Sequence, residues 1–350
     1  MPITSVTPIS SVSLPASSSL REAIRVIDRG AVQACLVMNE SGQLVGMLSD
    51  GDVRRALLGG HSIESVVGEL MNTDFRFIRS PANTRIVEEF MGRHKIRHVP
   101  VLNAAGQVEV FFTLSDWAVS HEMNLPVLVM AGGQGMRLRP LTEQTPKPML
   151  TVGDKPILER ILDRCVGAGL TDVYLSVNYL ASQIRDYFGD GSQWGLTINY
   201  LEEKEALGTA GSLGLLPAGT GDSVLVLNGD VLTEVDLSRM VEFHRESGSF
   251  ATVALREFVL EVPYGVVALD GFTIHEIREK PSFRNFINAG VYVLRREVID
   301  LVPSGTAIDM PDLIRDAINK DFSVSGFPLH EDWLDVGSLE SLEEAREKHE

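Results

Sequence analysis

Cysteine is nearly absent from this 350-residue chain, which has only Cys35 and Cys165. Two thiols so far apart make neither a disulfide framework nor a thiolate metal site, so a reducing compartment is expected. Positive charge is also scarce. Lys and Arg number 31 against 48 Asp and Glu, a formal net charge of −17. That balance disfavours a duplex nucleic-acid binder, which needs a basic face, and a polybasic attachment to anionic lipid. No run of about eighteen apolar residues occurs, so no membrane-spanning helix is expected. The first twenty residues are rich in Ser, Thr and Pro and lack both early basic residues and the apolar segment of an export signal. The expectation is a cytoplasmic protein with neither nucleic acid nor membrane among its partners.

What is present is an ordinary globular composition, 44% apolar and 23% charged, on a chain long enough for two domains. The first 120 residues hold a repeat at a spacing of 64. Val37-Met38-Asn39 with Gly42 aligns with Val101-Leu102-Asn103 with Gly106, and Ser49 and Asp52 align with Thr113 and Asp116. The apolar helical face Leu20, Ala23, Ile27 aligns with Thr84, Val87, Met91. Each unit reads as helix, strand, Asn/Gly turn, strand, then a helix opening at Ser/Thr-x-x-Asp. That last spacing suits helix capping by itself.

The doubled Ser/Thr-x-x-Asp turn, with Ile96-Arg97-His98-Val99-Pro100-Val101, resembles a pair of CBS domains. The pair is expected over 1–120, with repeats of about 1–62 and 63–120, followed by a connection at 121–125. The resemblance implies either an adenine-nucleotide site at Ser49, Asp52, Thr113 and Asp116 or a dimerisation module. His98 is expected to be a structural or ligand-edge residue of the pair and not a catalyst.

From residue 126 the texture changes to alternating strands and helices. Strands are expected at 126–130, 172–177, 197–200, 224–227, 251–255 and 291–294. Helices are expected around 157–168, 180–187, 209–216 and 237–247. The alternation predicts a mainly parallel α/β sheet with ligands beyond the strands' carboxyl ends. At the first such end, an apolar strand runs into Gly132, Gly133 and Gly135, followed by Arg137 and Lys147. Glycines let successive N–H groups surround an anion, and the two cations add fixed positive charge. This describes a polyphosphate site. A P-loop is excluded because Met136-Arg137 follows Gly135, and Leu138 stands where a dinucleotide fingerprint needs its third glycine. No zinc His pattern or serine elbow is present, and Cys165, among Leu162 and Val166, reads as core.

The segment from Val127 through Thr142 and Thr145-Pro-Lys-Pro-Met149 resembles the signature of sugar-1-phosphate nucleotidylyltransferases, and the likeness extends over 126–350. Met136 departs from it, since a small residue is usual there. The resemblance implies that Ala131, Gly132, Gly133 and Gly135 wrap the nucleotide, with Glu202, Gly208 and Thr209 facing its base and ribose. Arg137 would neutralise the departing phosphates and Lys147 would sit at the reacting one. Asn178, Gly265, Glu279, Lys280, Asn288 and Gly290 would hold the sugar phosphate. Asp230 and Asp335 would carry Mg²⁺, with Mn²⁺ as the alternative.

The fold expected is thus α/β, a Rossmann-like nucleotidyltransferase sheet preceded by a smaller α+β CBS pair. The fused CBS pair resembles guanylyltransferases of nonulosonate (legionaminic acid-type) pathways, which implies GTP, glucosamine 1-phosphate and a homo-oligomer, dimer or tetramer. Mannose, glucose or heptose 1-phosphate with GTP, UTP, dTTP or CTP is the alternative. A reading of another class is a non-catalytic nucleotide-sensing protein, which predicts missing ligands. Charge sharpens the chemistry. Residues up to Glu122 carry a net of −2 and the remainder −15, so an anionic substrate must be held by local devices against the overall field.

Overall fold

The computed structural model describes residues 3–6, 8–30, 32–82, 84–94, 96–114 and 125–349. Two compact units divide at Trp117 and Ala118. Among the described residues no helix is long and apolar enough to cross a membrane.

The N-terminal unit contains β1 (Ile3–Val6), β2 (Ser13–Pro15), α1 (Leu20–Gly30), β3 (Ala34–Met38), β4 (Leu44–Ser49) and α2 (Asp50–Leu58). It continues with β5 (Ile78–Arg79), α3 (Thr84–His94), β6 (His98–Leu102) and β7 (Val108–Leu114). The strands form two sheets, β2-β3-β4 and β1-β7-β6-β5, so each half repeats a parallel pair followed by a hairpin. Helix α1 buries Leu20, Ala23 and Ile27, spaced for one helical face. Val87 and Met91 are buried at the matching positions of α3.

The two Asn/Gly turns meet each other. Asn39 Oδ1 accepts from the amides of Ser41 and Gln43, and Asn103 Oδ1 does the same for Ala105 and Gln107. Gln43 Nε2 then donates to the Ala105 carbonyl at 2.8 Å, and Gln107 Nε2 to that of Ser41 at 3.3 Å. This reciprocity makes the repeat an internal near-dyad.

The C-terminal unit is organised by a seven-stranded sheet. Its elements are β8 (Val127–Met130), the short pair β9 (Thr151–Val152) and β10 (Lys155–Pro156), α4 (Ile157–Gly167), β11 (Asp172–Val177), α5 (Ala181–Phe188) and β12 (Thr197–Glu202). Next come β13 (Ser223–Asn228), β14 (Val231–Thr233), α6 (Leu237–Ser247), β15 (Ala251–Glu261), β16 (Val266–Asp270), β17 (Thr273–Arg278) and β18 (Ser282–Arg295). The last are α7 (Arg296–Ile299), α8 (Met310–Asn319), β19 (Val324–Leu329), β20 (Trp333–Asp335) and α9 (Leu339–Lys348). The sheet order is β12-β11-β8-β13-β18-β15-β19. Strands β12, β11, β8 and β13 are mutually parallel, whereas β18 is antiparallel to both neighbours.

Both sheet faces are covered. Val127 and Val129 point into one core, with Val173, Leu175, Leu225 and the helix residues Ile157, Leu158 and Ile161. Leu128 points into the other, with Val224, Val226, Leu294 and Met310. Burial on both sides explains why these strands read as unbroken apolar runs.

One expected helix is corrected. The stretch around 209–216 contains only a short 3₁₀ segment, Gly211–Leu215. A Cβ at Gly211 would collide with the Thr306 carbonyl oxygen, and one at Gly214 would lie 3.0 Å from those of Val302 and Pro303. The chain there is pressed against another backbone segment, and Pro217 follows it.

Candidate active site

The site lies where β8 and β13 end. Beyond Met130, the amide of Ala131 donates to the Ser176 carbonyl at 2.9 Å, carrying the loop along the neighbouring strand. Gly135 adopts φ +60°, and its carbonyl accepts from the Thr142 hydroxyl at 2.8 Å. A side chain there would be strained and would meet Thr142 Cγ2 at 2.9 Å and Lys147 Cβ at 3.0 Å. Gly133 faces open space. Arg137 follows in a 3₁₀ turn (Met136–Leu138) anchored by fully buried Leu138.

Four charged groups from four parts of the chain converge below this loop. Asp230 follows β13, and its carbonyl accepts the Val336 amide at 2.9 Å. Strands β14 and β20 pair Val231 with Asp335, so the two Asp residues are neighbours. Lys147, only 8% exposed, ion-pairs with Asp230 Oδ2. A Cβ at Gly337 would lie 3.1 Å from both Arg137 Nη2 and Asp335 Oδ1, so a glycine there admits both groups. Burial first, then the Asp230 carboxylate, hold Asp335 above the usual carboxylate range, while Lys147 and Arg137 pull it back.

Asn178 is beside the loop. Its Nδ2 donates to the Glu203 carbonyl at 2.7 Å, and its Cβ is 3.3 Å from a Cβ built at Gly132. The two adjacent glutamates part company. Glu202, the last residue of β12, has its side chain 73% exposed and pairs outward with Arg185 at 2.6 Å. Glu203 turns inward. Its Oε1 accepts from the buried Ser176 hydroxyl at 2.5 Å, and its Oε2 from the Leu207 amide at 3.1 Å. Oε1 lies 2.9 Å from where a Gly132 Cβ would be. Glu203 was not anticipated: which of two consecutive glutamates faces the loop depends on where β12 ends, and no local spacing reports that.

Gly208 and Thr209 are tied to the start of α8. The Thr209 amide donates to Asp309 Oδ1 at 3.0 Å, and its hydroxyl accepts the Met310 amide at 2.8 Å. A Cβ on Gly208 would meet the Ile308 carbonyl oxygen at 2.7 Å.

The expected sugar-side residues fall into two groups. Asn288 and Gly290 adjoin the carboxylates. Asn288 Oδ1 accepts the Gly290 amide at 3.1 Å, and the Asn228 amide nitrogen packs 2.7 Å from Gly290's Cβ position. Trp333 Nε1 donates to the Ala289 carbonyl at 2.8 Å, joining this segment to β20. Tyr292, unanticipated, is hydrogen-bonded to Asn288, and burial pushes its phenol up to about 12. Gly265, Glu279 and Lys280 form the second group, at the foot of the β16–β17 hairpin. Glu279 Oε2 lies 3.0 Å from a Gly265 Cβ, and Lys280 sits at an exposed corner with φ +44°. Among the described residues, no hydrogen bond or ion pair joins this group to Asp230 and Asp335.

In the N-terminal unit, Ser49 and Asp52 form a capping box on α2. Asp52 Oδ2 accepts the Ser49 amide and hydroxyl at 2.8 and 2.6 Å, and Arg55 reaches Oδ1 at 2.5 Å. Thr113 is buried within β7. Asp116 and residues 121–124 lie outside the described residues. His98 Nε2 lies 2.5 Å from the Val32 carbonyl oxygen, linking the repeats.

A family model described as nucleotidyl transferase matches residues 126–350. The chain belongs to this family. A CBS domain model matches residues 5–59, the first of the two structural repeats. Relatives of the chain include a mannose-1-phosphate guanylyltransferase of Mycobacterium tuberculosis, 36% identical over 233 residues, 64% of this chain and 63% of the relative. A UTP–glucose-1-phosphate uridylyltransferase of Synechocystis sp. is 32% identical over 235 residues, 61% of each chain. The chain thus spans about three fifths of the length of these curated relatives. Among solved structures, HddC from Yersinia pseudotuberculosis matches with a TM-score of 0.52 and 26% identity, over 65% of this chain and all of the other. The same protein complexed with GMP-PN matches with a TM-score of 0.50 and 25% identity, over the same shares.

Proposed function

We propose that the chain transfers a nucleotidyl group from a nucleoside triphosphate to a sugar 1-phosphate, releasing pyrophosphate. The observation that carries this reading is the convergence of Lys147, Asp230, Asp335 and Arg137 beneath a glycine loop. A phosphate oxygen of the sugar phosphate attacks the α-phosphorus in line, and the bond to the bridging oxygen breaks as pyrophosphate leaves. Both reactants are anions, so the barrier falls through positioning and charge neutralisation, with no covalent enzyme intermediate. The loop amides orient the triphosphate. Arg137 offsets the charge of the leaving phosphates, and Lys147 that of the reacting one. The non-catalytic reading predicts lost ligands, and none of these residues is missing.

Asp230 and Asp335 suit a hard divalent cation. Among the described residues no group of three or more His, Cys, Asp or Glu surrounds such an ion. One or two carboxylates with substrate phosphates and water are the ordinary donor set for Mg²⁺, and a bound cation would offset the Asp230 repulsion that, after burial, raises Asp335. When bound, Mg²⁺ (or Mn²⁺) supplies further charge neutralisation at the phosphates.

GTP is the proposed donor. Glu203 presents a fixed carboxylate beside Gly132. A carboxylate accepts hydrogen bonds, so it pairs with the ring N–H and amino group of guanine and repels the carbonyl edge of uracil or thymine. The mycobacterial relative's guanylyltransferase name and the GMP-PN complex of HddC point the same way. Glucosamine 1-phosphate is the proposed acceptor, and mannose, glucose and heptose 1-phosphates are its competitors. A matrix of four triphosphates against these four acceptors, read as pyrophosphate, tests both choices.

A further inference from the structure

The β16–β17 hairpin, which joins Gly265 to Glu279, leaves an apolar face exposed. Its register pairs Val267 with Ile277 and Leu269 with Ile274. Val267 and Leu269 alternate along β16 and share a side, and the register shift between Ala268 and Leu269 brings Ile274, as well as Ile277, opposite them, so these four side chains line one face. The opposite face carries Ala268 and Asp270, with Glu276 and Arg278 joined by hydrogen bonds of 2.7 and 2.8 Å. Residues on both faces are exposed, so the hairpin stands clear of its own domain. The four apolar residues are 42–63% exposed, and Phe272 at the tip is fully exposed. Strands β16 and β17 form a sheet of their own, and a lone two-stranded hairpin is marginal in water.

We infer that this face is the contact between two copies of the chain. Area is the first reason. With about 150–250 Å² on a whole aromatic side chain and less on branched aliphatics, Phe272 and the four strand residues expose roughly 500–600 Å². A standard interface buries roughly 600–1,000 Å² per partner, a little over half of it apolar, so the face has the apolar area that one such contact needs.

Charge is the second reason. A chain of −17 repels its own copy over most of its surface, whereas these five side chains bring no charge to the contact. Symmetry is the third. One flat face packs against itself about a two-fold axis, the isologous geometry of a C₂ dimer, with the two sheets about 10 Å apart.

The test is the mass of the full-length chain by light scattering on a sizing column. The double variant Leu269→Glu/Ile277→Glu should halve the particle mass and leave the far-UV circular dichroism unchanged. Ala268→Glu, on the opposite face, should keep the wild-type mass. A second measurement needs no variant: hydrogen exchange of residues 266–278 should slow as protein concentration rises through the dissociation range. A monomeric wild type would mean that the face is covered within the chain or by a different protein. Wild-type mass in the double variant, an equal loss in Ala268→Glu, or concentration-independent exchange would likewise overturn the inference.

Discussion

The amide of Val336 donates to the carbonyl of Asp230 at 2.9 Å, and this bond sets two carboxylates from distant parts of the chain side by side. Asp230 follows a central strand of the sheet, and Asp335 ends β20, near the C-terminus. The pairing of β14 with β20 makes them one site, into which Lys147 and Arg137 project.

Asp230→Asn and Asp335→Asn should each lower kcat/KM by about 10²–10³, the cost of removing one preorganised electrostatic group. Lys147→Ala should do the same. Melting temperatures close to wild type, measured in parallel, separate loss of chemistry from loss of fold. Near-normal turnover in any of the three would contradict the assignment.

The two adjacent glutamates should behave differently. Glu203→Gln is expected to reduce kcat/KM with GTP by roughly 10–100-fold, in line with about 1.5–3 kcal/mol for a hydrogen bond to a charged group. Glu202→Gln breaks only an exposed pair with Arg185 and should change it less than about threefold, since such pairs contribute roughly 0–1 kcal/mol. Steady-state kinetics with GTP and UTP compare them, and equal losses would mean that Glu203 does not read the base.

That contrast marks the limit of what was legible in the linear chain. The glycine loop, Arg137 and Lys147 announce themselves because the chemistry is local: a strand end, small residues and cations within twenty positions. The CBS repeat is legible because 64-residue spacing repeats apolar faces and turns together. Glu203 was hidden because its orientation depends on the end of β12 and on Ser176, a neighbour in space. The 209–216 stretch reads as helix in the sequence, but its glycines answer to a distant backbone at 302–306. The exposure of the apolar face of β16–β17 could not be read at all, since apolar alternation looks the same whether or not a face is covered.

His244 links the core to pH. It is buried, with Nδ1 2.9 Å from the Thr252 hydroxyl. Burial first, then Arg295 and Arg245, push its imidazole down to about 4. The folded state therefore favours the neutral ring. Stability from this residue is complete above about pH 6.5 and is lost as pH falls from there towards about 4, on the order of 2 kcal/mol across the window. Denaturant midpoints between pH 7.5 and 4.5 should fall more steeply for the wild type than for His244→Leu. Parallel curves would count against it.

Adenine nucleotide at the CBS repeat is a separate proposal. AMP or ATP should raise the melting temperature of the wild type. Since Asp52 caps α2, the Asp52→Ala/Asp116→Ala variant starts from a lower baseline, by about 1 kcal/mol for the cap. The shift on adding nucleotide, measured from each protein's own baseline, is the informative quantity. No shift in the wild type, or an equal one in the variant, would dismiss the site.

The most direct measurement is pyrophosphate release with Mg²⁺, GTP and glucosamine 1-phosphate, alongside the other triphosphates and sugar 1-phosphates. The account predicts metal-dependent pyrophosphate in step with a nucleotide sugar, fastest with GTP, and suppressed in Asp230→Asn. No pyrophosphate from any pair, or release that Asp230→Asn leaves intact, would contradict it.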